Sequence, residues 1–321
     1  MDYDTKTKKD LEAGLTNKGL AQSSIKLYLR NLEKLNDNQP LKNLNFLKDV
    51  SAITAKLERY KENTKRGYLI SICSVLSLDK TTKPKAKLYD DYFQLMINKN
   101  KQLKAEEATN EKSEAQDQNW MDWKEVEEKF NALEEKVNAF KGQKELNEHQ
   151  YNVLLQYIVL SLYVLFPPRR NEYQKMMIVK TASETSPTDT NYLDLDHKRM
   201  IMNKYKTAKK EGQMILELPE AFLPILATYL KYHPLLKGKK ITKSLQPTPF
   251  LVYYNGDQLD KVNSITRILN KVFGRKVGSS MLRHIYLSNK YGDIQEEQKK
   301  DADAMGHSTA QQKDYIKIDK K

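Results

Sequence analysis

The sequence predicts a mainly α-helical protein with a small antiparallel β-sheet in its C-terminal half. Three observations carry that prediction. Most of the chain places apolar residues three and four apart, the period of a helix with one buried face. Three short apolar-rich segments between residues 191 and 219 are separated by turn residues, the pattern of small strands. Charge divides the chain: residues 1–104 hold 21 basic and 12 acidic side chains, residues 105–150 hold 6 and 13, and residues 151–321 hold 28 and 17.

The elements follow in order. In "SSIKLYLRNLEKL", Ile25, Tyr28, Leu29, Leu32 and Leu35 keep helical spacing, with Ser23 or Ser24 as N-cap. "NTKRGYLISICSVLSL" repeats the arrangement, with Asn63 or Thr64 as cap and Tyr68, Leu69, Ile72, Val75 and Leu76 on one side. Lys26, Arg30, Lys65 and Arg66 are left for outer faces, where they are candidates to lie against phosphates. "AEEATNEKSEAQDQ", residues 105–118, lacks large apolar residues and reads as an acidic, solvated linker. The predicted organisation is therefore a helical domain over 1–104, a linker over 105–118 and a second domain over 119–321.

The second domain opens with helical "WKEVEEKFNALEEKVNAF". "VLLQYIVLSLYVLF", residues 153–166, is too short for the roughly 18–20 residues that span a bilayer and is read as a buried helix. Pro167 and Pro168 stop it. "RRNEYQKMMIV" resumes helical spacing. "NYLDLD", "RMIMNKYKT" and "QMILELP" are the strands, with "AKKEG" joining the last two. Residues 219–233 return to helix, "PFLVYY" is a short buried segment, and "SITRILNKVFGRKV" and "SSMLRHIYLSNKYG" are helices.

Composition narrows function. The net charge of +13 and a pI near 9.3 point to a polyanionic partner, with nucleic acid ahead of an acidic membrane surface. Cys73 is the only cysteine, so no internal disulfide is possible and a reducing, intracellular compartment is expected rather than secretion. No CxxC or HExxH spacing suggests zinc, and no Walker loop or GxGxxG suggests a nucleotide cofactor.

Four places combine residues with chemical potential: "PPRRNEY", "YKTAKKEG", "SSMLRHIYLS" and "MGHSTAQQKDYIK". Each has an ordinary structural explanation alone: a helix-capping Arg169, solvated hairpin lysines, an Arg283 paired with a buried acid, a packed His307, a terminal aromatic Tyr315. Their order in the chain resembles the tyrosine recombinase, or phage-type integrase, family. "LFPPRRNEY" matches that family's first-arginine motif, with Arg169 as the arginine and Glu172 as its acidic support. "YKTAKKEG" matches the β-hairpin lysine at Lys206. "MLRHIYLS" matches the second-arginine motif at Arg283, with His284 behind it. "MGHSTAQQKDYIK" matches the Gly-His…Tyr end at His307 and Tyr315. The N-terminal block is similar to the family's helical core-binding domain, and the "PPRR" form looks most like versions from large DNA viruses and their mobile elements. The chain departs from the family pattern twice. Ser280 stands where a histidine is usual, and His307 precedes Tyr315 by eight residues where nine is common.

The resemblance implies a mixed α/β catalytic domain that cuts and rejoins double-stranded DNA through a covalent 3′-phosphotyrosine, without ATP or a metal. Arg169 and Arg283 would bind the scissile phosphate, Lys206 would protonate the departing 5′ oxygen, His307 would assist, Ser280 would add a neutral hydrogen bond and Tyr315 would attack. Arg170 and Lys204 join the DNA-contacting cations. The family assembles as a tetramer on synapsed DNA; the six residues after Tyr315 are few for an exchanged helix, which fits a monomer in the free state. A type IB topoisomerase-like enzyme and a catalytically inactive DNA-binding protein of the same fold are the alternatives.

Overall fold

A computed structural model describes residues 7–108, 111–182, 187–242 and 245–317, with the backbone alone for Glu107, Ala108 and Lys313. The chain divides into two compact units, Met1–Glu111 and Lys112–Lys321.

The N-terminal unit is built from α1 (Lys8–Asn17), α2 (Gln22–Leu35), α3 (Val50–Leu57), α4 (Glu62–Leu76) and α5 (Lys83–Ala108). The expected stripes form its core: Ile25, Leu29, Leu32 and Leu35 of α2 and Tyr68, Leu69, Ile72, Val75 and Leu76 of α4 are all buried. Burying side chains of this size stabilises the fold by about 1.5–3 kcal/mol each. Both helices begin earlier than the sequence suggested. Ala21 and Lys61 are the N-caps, with extended backbone and no side-chain capping bond. Ser23, Ser24, Asn63 and Thr64 therefore lie inside the first turns. Packing, not cap chemistry, sets these starts.

Lys65 corrects another expectation. It is buried rather than on the outer face, and its ammonium pairs with Glu58 at 2.7 Å and Glu62 at 2.9 Å. Those carboxylates hold its pKa above the usual lysine value. Glu62 also pairs with Lys99 of α5, so the cluster ties α4 to α5. Arg66 is half-buried, with its Nε shielded and unbonded. Lys26 and Arg30 are exposed on α2 as expected. Helix α5 runs four residues into the stretch expected as linker; residues 109 and 110 of that stretch lie outside the described residues.

The C-terminal unit opens with the short α6 (Glu114–Asp117) and α7 (Trp123–Asn138), followed by α8 (Glu148–Val164) at its centre. Asn147 caps α8 in a reciprocal pair with Gln150. Helix α8 is buried on nearly every side, from Tyr151 to Tyr163. A 3₁₀ turn at Asn171–Lys175 leads into β1 (Met177–Val179), then β2 (Tyr192–Asp194), β3 (Arg199–Met202), α9 (Ala208–Glu211) and β4 (Met214–Glu217). Next come α10 (Leu223–Tyr232), β5 (Thr248–Pro249), α11 (Ser264–Phe273), α12 (Ser279–Met305) and α13 (Thr309–Tyr315).

The sheet is mixed, which corrects the antiparallel prediction. Its order is β4-β3-β2-β1-β5. Strands β1 and β2 pair in parallel, Met177 with Tyr192 and Val179 with Asp194, because the chain between them returns to the starting end of β1. The other pairings are antiparallel. Strand β1 lies in the stretch expected to be helical, and β5 begins just before the buried segment "PFLVYY".

Candidate active site

The proline break after α8 delivers Arg169 to a half-buried position. Its Nε donates to Glu172 Oε2 at 2.9 Å, with the two side chains 17% and 11% exposed. Its Nη1 lies 3.0 Å from Met214 Sδ at the start of β4. Its guanidinium carbon sits 5.2 Å from the centre of the Tyr205 ring. Three of its five N–H groups remain for another ligand. Arg170 is exposed, and its carbonyl accepts from the Tyr163 hydroxyl at 3.4 Å.

The hairpin between β3 and β4 carries Lys204, Tyr205 and Lys206. Lys204 and Lys206 are exposed, and neither makes an ion pair with a described residue. The tip is a short helical turn, α9, ended by Gly212 at φ +75°. The Tyr205 hydroxyl donates to Gly212 O at 2.7 Å and closes the tip. Asn191, buried just before β2, donates from Nδ2 to Glu172 O at 3.1 Å and Lys204 O at 3.0 Å. Its Oδ1 accepts from Asn203 N at 2.8 Å and Lys204 N at 2.7 Å. The first-arginine segment and the lysine hairpin are therefore joined directly.

The start of α12 reaches the same place. Ser279 is buried beside the Tyr163 hydroxyl, the group that bonds Arg170. Asn171 Nδ2 lies 3.4 Å from Thr266 Oγ1 on α11, and a Cβ at Gly278 would sit 3.1 Å from Thr266 Cγ2. Arg283 lies four residues after Ser279, hence on the same face one turn on. It is half-buried and makes no ion pair with a described residue, between buried Leu282 and Ile285. Ser280 and His284 share an exposed face of α12.

His307 and Tyr315 are elsewhere, which corrects the expectation of five side chains gathered at one point. Beyond Tyr286, whose ring meets Trp123 edge-on, α12 leaves the body of the unit. From Leu287 to Asp301 every residue but Gly292 and Gln298 is exposed. The helix continues through Gly292, where a boundary was expected, because the residues around it are good helix formers that carry the glycine at about 1 kcal/mol. At about 1.5 Å per residue, Met305 lies roughly 33 Å along the axis from Arg283. Gly306 ends α12 in the left-handed conformation, and Ser308 starts α13 with a reciprocal Gln311 cap. Within this arm the His307 and Tyr315 rings are 5.6 Å apart. Tyr315 is 75% exposed, and His307 Nε2 is shielded without a hydrogen-bond partner.

Sequence reasoning missed Asn191, Tyr205 and Met214. The available signal was a polar residue opening the apolar strand "NYLDLD" and an aromatic next to the hairpin lysine. Among the described residues no group of three His, Cys, Asp or Glu side chains is placed to hold a metal ion, and no helix is long and apolar enough to cross a membrane. No protein-family model matches the chain, and no curated protein or solved structure matches it.

Proposed function

We propose that the chain is a DNA strand transferase of tyrosine recombinase type, with the N-terminal unit as a helical DNA-holding domain and the C-terminal unit as the catalytic domain. One observation carries the reading: Arg169, braced by Glu172, is joined through buried contacts to the hairpin of Lys206, and the helix bearing Arg283 packs at the same place. Arg169 keeps three N–H groups without a described partner, Arg283 makes no ion pair with a described residue and Lys206 faces solvent, a set of cations that suits a phosphodiester.

The chemistry follows from the residue types. A phosphodiester is anionic, so attack by a phenolate needs its nonbridging oxygens neutralised; Arg169 and Arg283 do this as charge builds in the five-coordinate transition state. Tyr315 passes its phenol proton to the neighbouring His307, its oxygen forms a bond to phosphorus, and the bond to the 5′ oxygen breaks. Lys206 gives that oxygen a proton. In the reverse step a 5′ hydroxyl attacks the phosphotyrosine, Lys206 recovers its proton and Tyr315 leaves, taking its proton back from His307. The number of phosphoester bonds is conserved, so no external energy source enters. Exposed Lys26, Arg30, Arg170 and Lys204 hold the duplex by its phosphates, which positions the DNA without reading its sequence.

The reading requires the arm of α12 and α13 to deliver Tyr315 to the arginines. The remoteness of Tyr315 favours a second reading, a DNA-binding protein that does not cut. A nicked suicide duplex separates the two. The expected result is a denaturation-resistant protein–DNA adduct that disappears in Tyr315→Phe. Retention of DNA with no adduct on any duplex would leave only the binder.

A further inference from the structure

We infer that Asn191 is a positioning residue for this chemistry, setting the separation of Arg169 and Lys206 by fastening their two segments to one buried amide; the inference rests on the strand-transfer reading above. The side chain of Asn191 has two donor and two acceptor sites, and all four are filled. Its donors bind Glu172 O and Lys204 O, and its acceptor binds the amides of Asn203 and Lys204. Glu172 is the residue whose carboxylate orients Arg169, and Lys204 is two residues from Lys206. One side chain therefore spans from the support of the phosphate-binding group to the root of the proton donor.

A second set of contacts joins the same two segments. The Tyr205 ring faces the Arg169 guanidinium while its hydroxyl closes the hairpin tip on Gly212. Met214, on the returning strand, meets Arg169 Nη1. A buried amide is costly unless fully bonded, and an apolar residue would fill the site at lower cost in desolvation. What the amide adds is a fixed register between two loops that no strand pairing joins. A general acid must sit within hydrogen-bond reach of its target, so a loosened hairpin penalises proton donation more than phosphate binding.

The test uses the full chain and two suicide duplexes, one with the ordinary 5′ oxygen at the scissile position and one with sulfur there. A thiolate leaves without protonation, so the sulfur substrate does not need Lys206. Asn191→Ala is expected to slow cleavage of the oxygen substrate by about 10²-fold, the scale of a 1 Å misplacement. The same variant should cleave the sulfur substrate within a few-fold of wild type and retain DNA equally well, and Lys206→Ala should show the same split. Tyr205→Leu gives the same split, smaller, and serves where Asn191→Ala does not fold. Equal slowing of both substrates, or slowing of neither, overturns the inference. Wild-type protein that forms no adduct with either duplex defeats the strand-transfer reading instead. The clasp is then tested alone by hydrogen exchange at amides 205–214: equal exchange in wild type and Asn191→Ala shows that Asn191 does not hold the hairpin.

Discussion

A Gly292→Ala substitution is expected to slow adduct formation by at least about five-fold, because Tyr315 reaches the arginines only if α12 breaks. Arg283 and Met305 are separated by roughly 33 Å of continuous helix, so an unbroken α12 keeps the phenol away from its own phosphate site. Gly292 is the point of least resistance. It is followed by Asp293, a residue suited to cap a new helix. Leu287, Tyr291 and Ile294, exposed along one face, give the two halves apolar surface to bury on folding back. Gly292 has no unusual φ, and no heavy atom outside its own helical neighbourhood lies within 4 Å of where a Cβ would stand. Alanine therefore fits the helix without strain and stabilises the unbroken form by about 1 kcal/mol, a factor of about five in the broken population. If the broken form ends on a left-handed residue, alanine costs a further ~1–2 kcal/mol there, and the factor exceeds about 30. The assay is single-turnover adduct formation on the suicide duplex, with DNA retention measured in parallel. An unchanged rate refutes the reasoning. So does an adduct restored by mixing Tyr315→Phe with Arg283→Ala protein, which would mean that an intact arm serves another copy.

Arg169→Ala and Arg283→Ala should each lower single-turnover cleavage by about 10²–10³-fold, the cost of removing one oriented donor to a developing charge. Glu172→Gln keeps the shape but removes the charge that orients Arg169; a melting curve of the C-terminal unit should show a loss of roughly 1–2 kcal/mol, or about 3–6 °C. His233 is fully buried, its Nε2 beside Pro249 O and Phe250 O and its Nδ1 accepting from Leu235 N, and burial lowers its pKa. The folded state therefore binds fewer protons than the unfolded one, so stability of the C-terminal unit should fall as pH drops below the ordinary value of 6.5, and denaturant melts of His233→Gln should lose that dependence.

What was legible in the sequence is what depends on periodicity and on strong local signals. The stripes of α2 and α4, the buried α8, the Pro167–Pro168 stop and the β3–β4 hairpin all announce themselves. Strands β1 and β5 do not: β1 continues an apparent helical spacing, and β5 has only two residues. Tyr173 and Met177 keep helical spacing while belonging to a 3₁₀ turn and a strand, which hides the parallel partner of β2 and makes the sheet look antiparallel. Lys65 was assigned outward because its charge suggested solvent; the acids that draw it inward lie seven residues before and three before it, and only the packing of α4 against α5 buries the group. Asn191 carried only the faint signal of a polar residue opening an apolar strand, because its partners, Glu172, Asn203 and Lys204, are distant in sequence. Type and order single out the motif residues as candidates, but order does not encode the path of α12.

The environment favours Tyr315 over the other tyrosines, although three others stand closer to Arg169. Tyr163 and Tyr173 are fully buried, and burial pushes both phenols well above the ordinary value of 10. A phosphate cannot reach them, and they do not ionise near neutral pH. Tyr205 lies against the guanidinium but commits its hydroxyl to Gly212 O. Tyr315 is exposed, with a histidine ring beside it. Mass mapping of the trapped adduct should place the nucleotide on Tyr315, and Tyr205→Phe should still form adduct because its ring continues to face Arg169. A nucleotide found on Tyr205 would reassign the nucleophile to the hairpin and make the remote arm irrelevant to the chemistry.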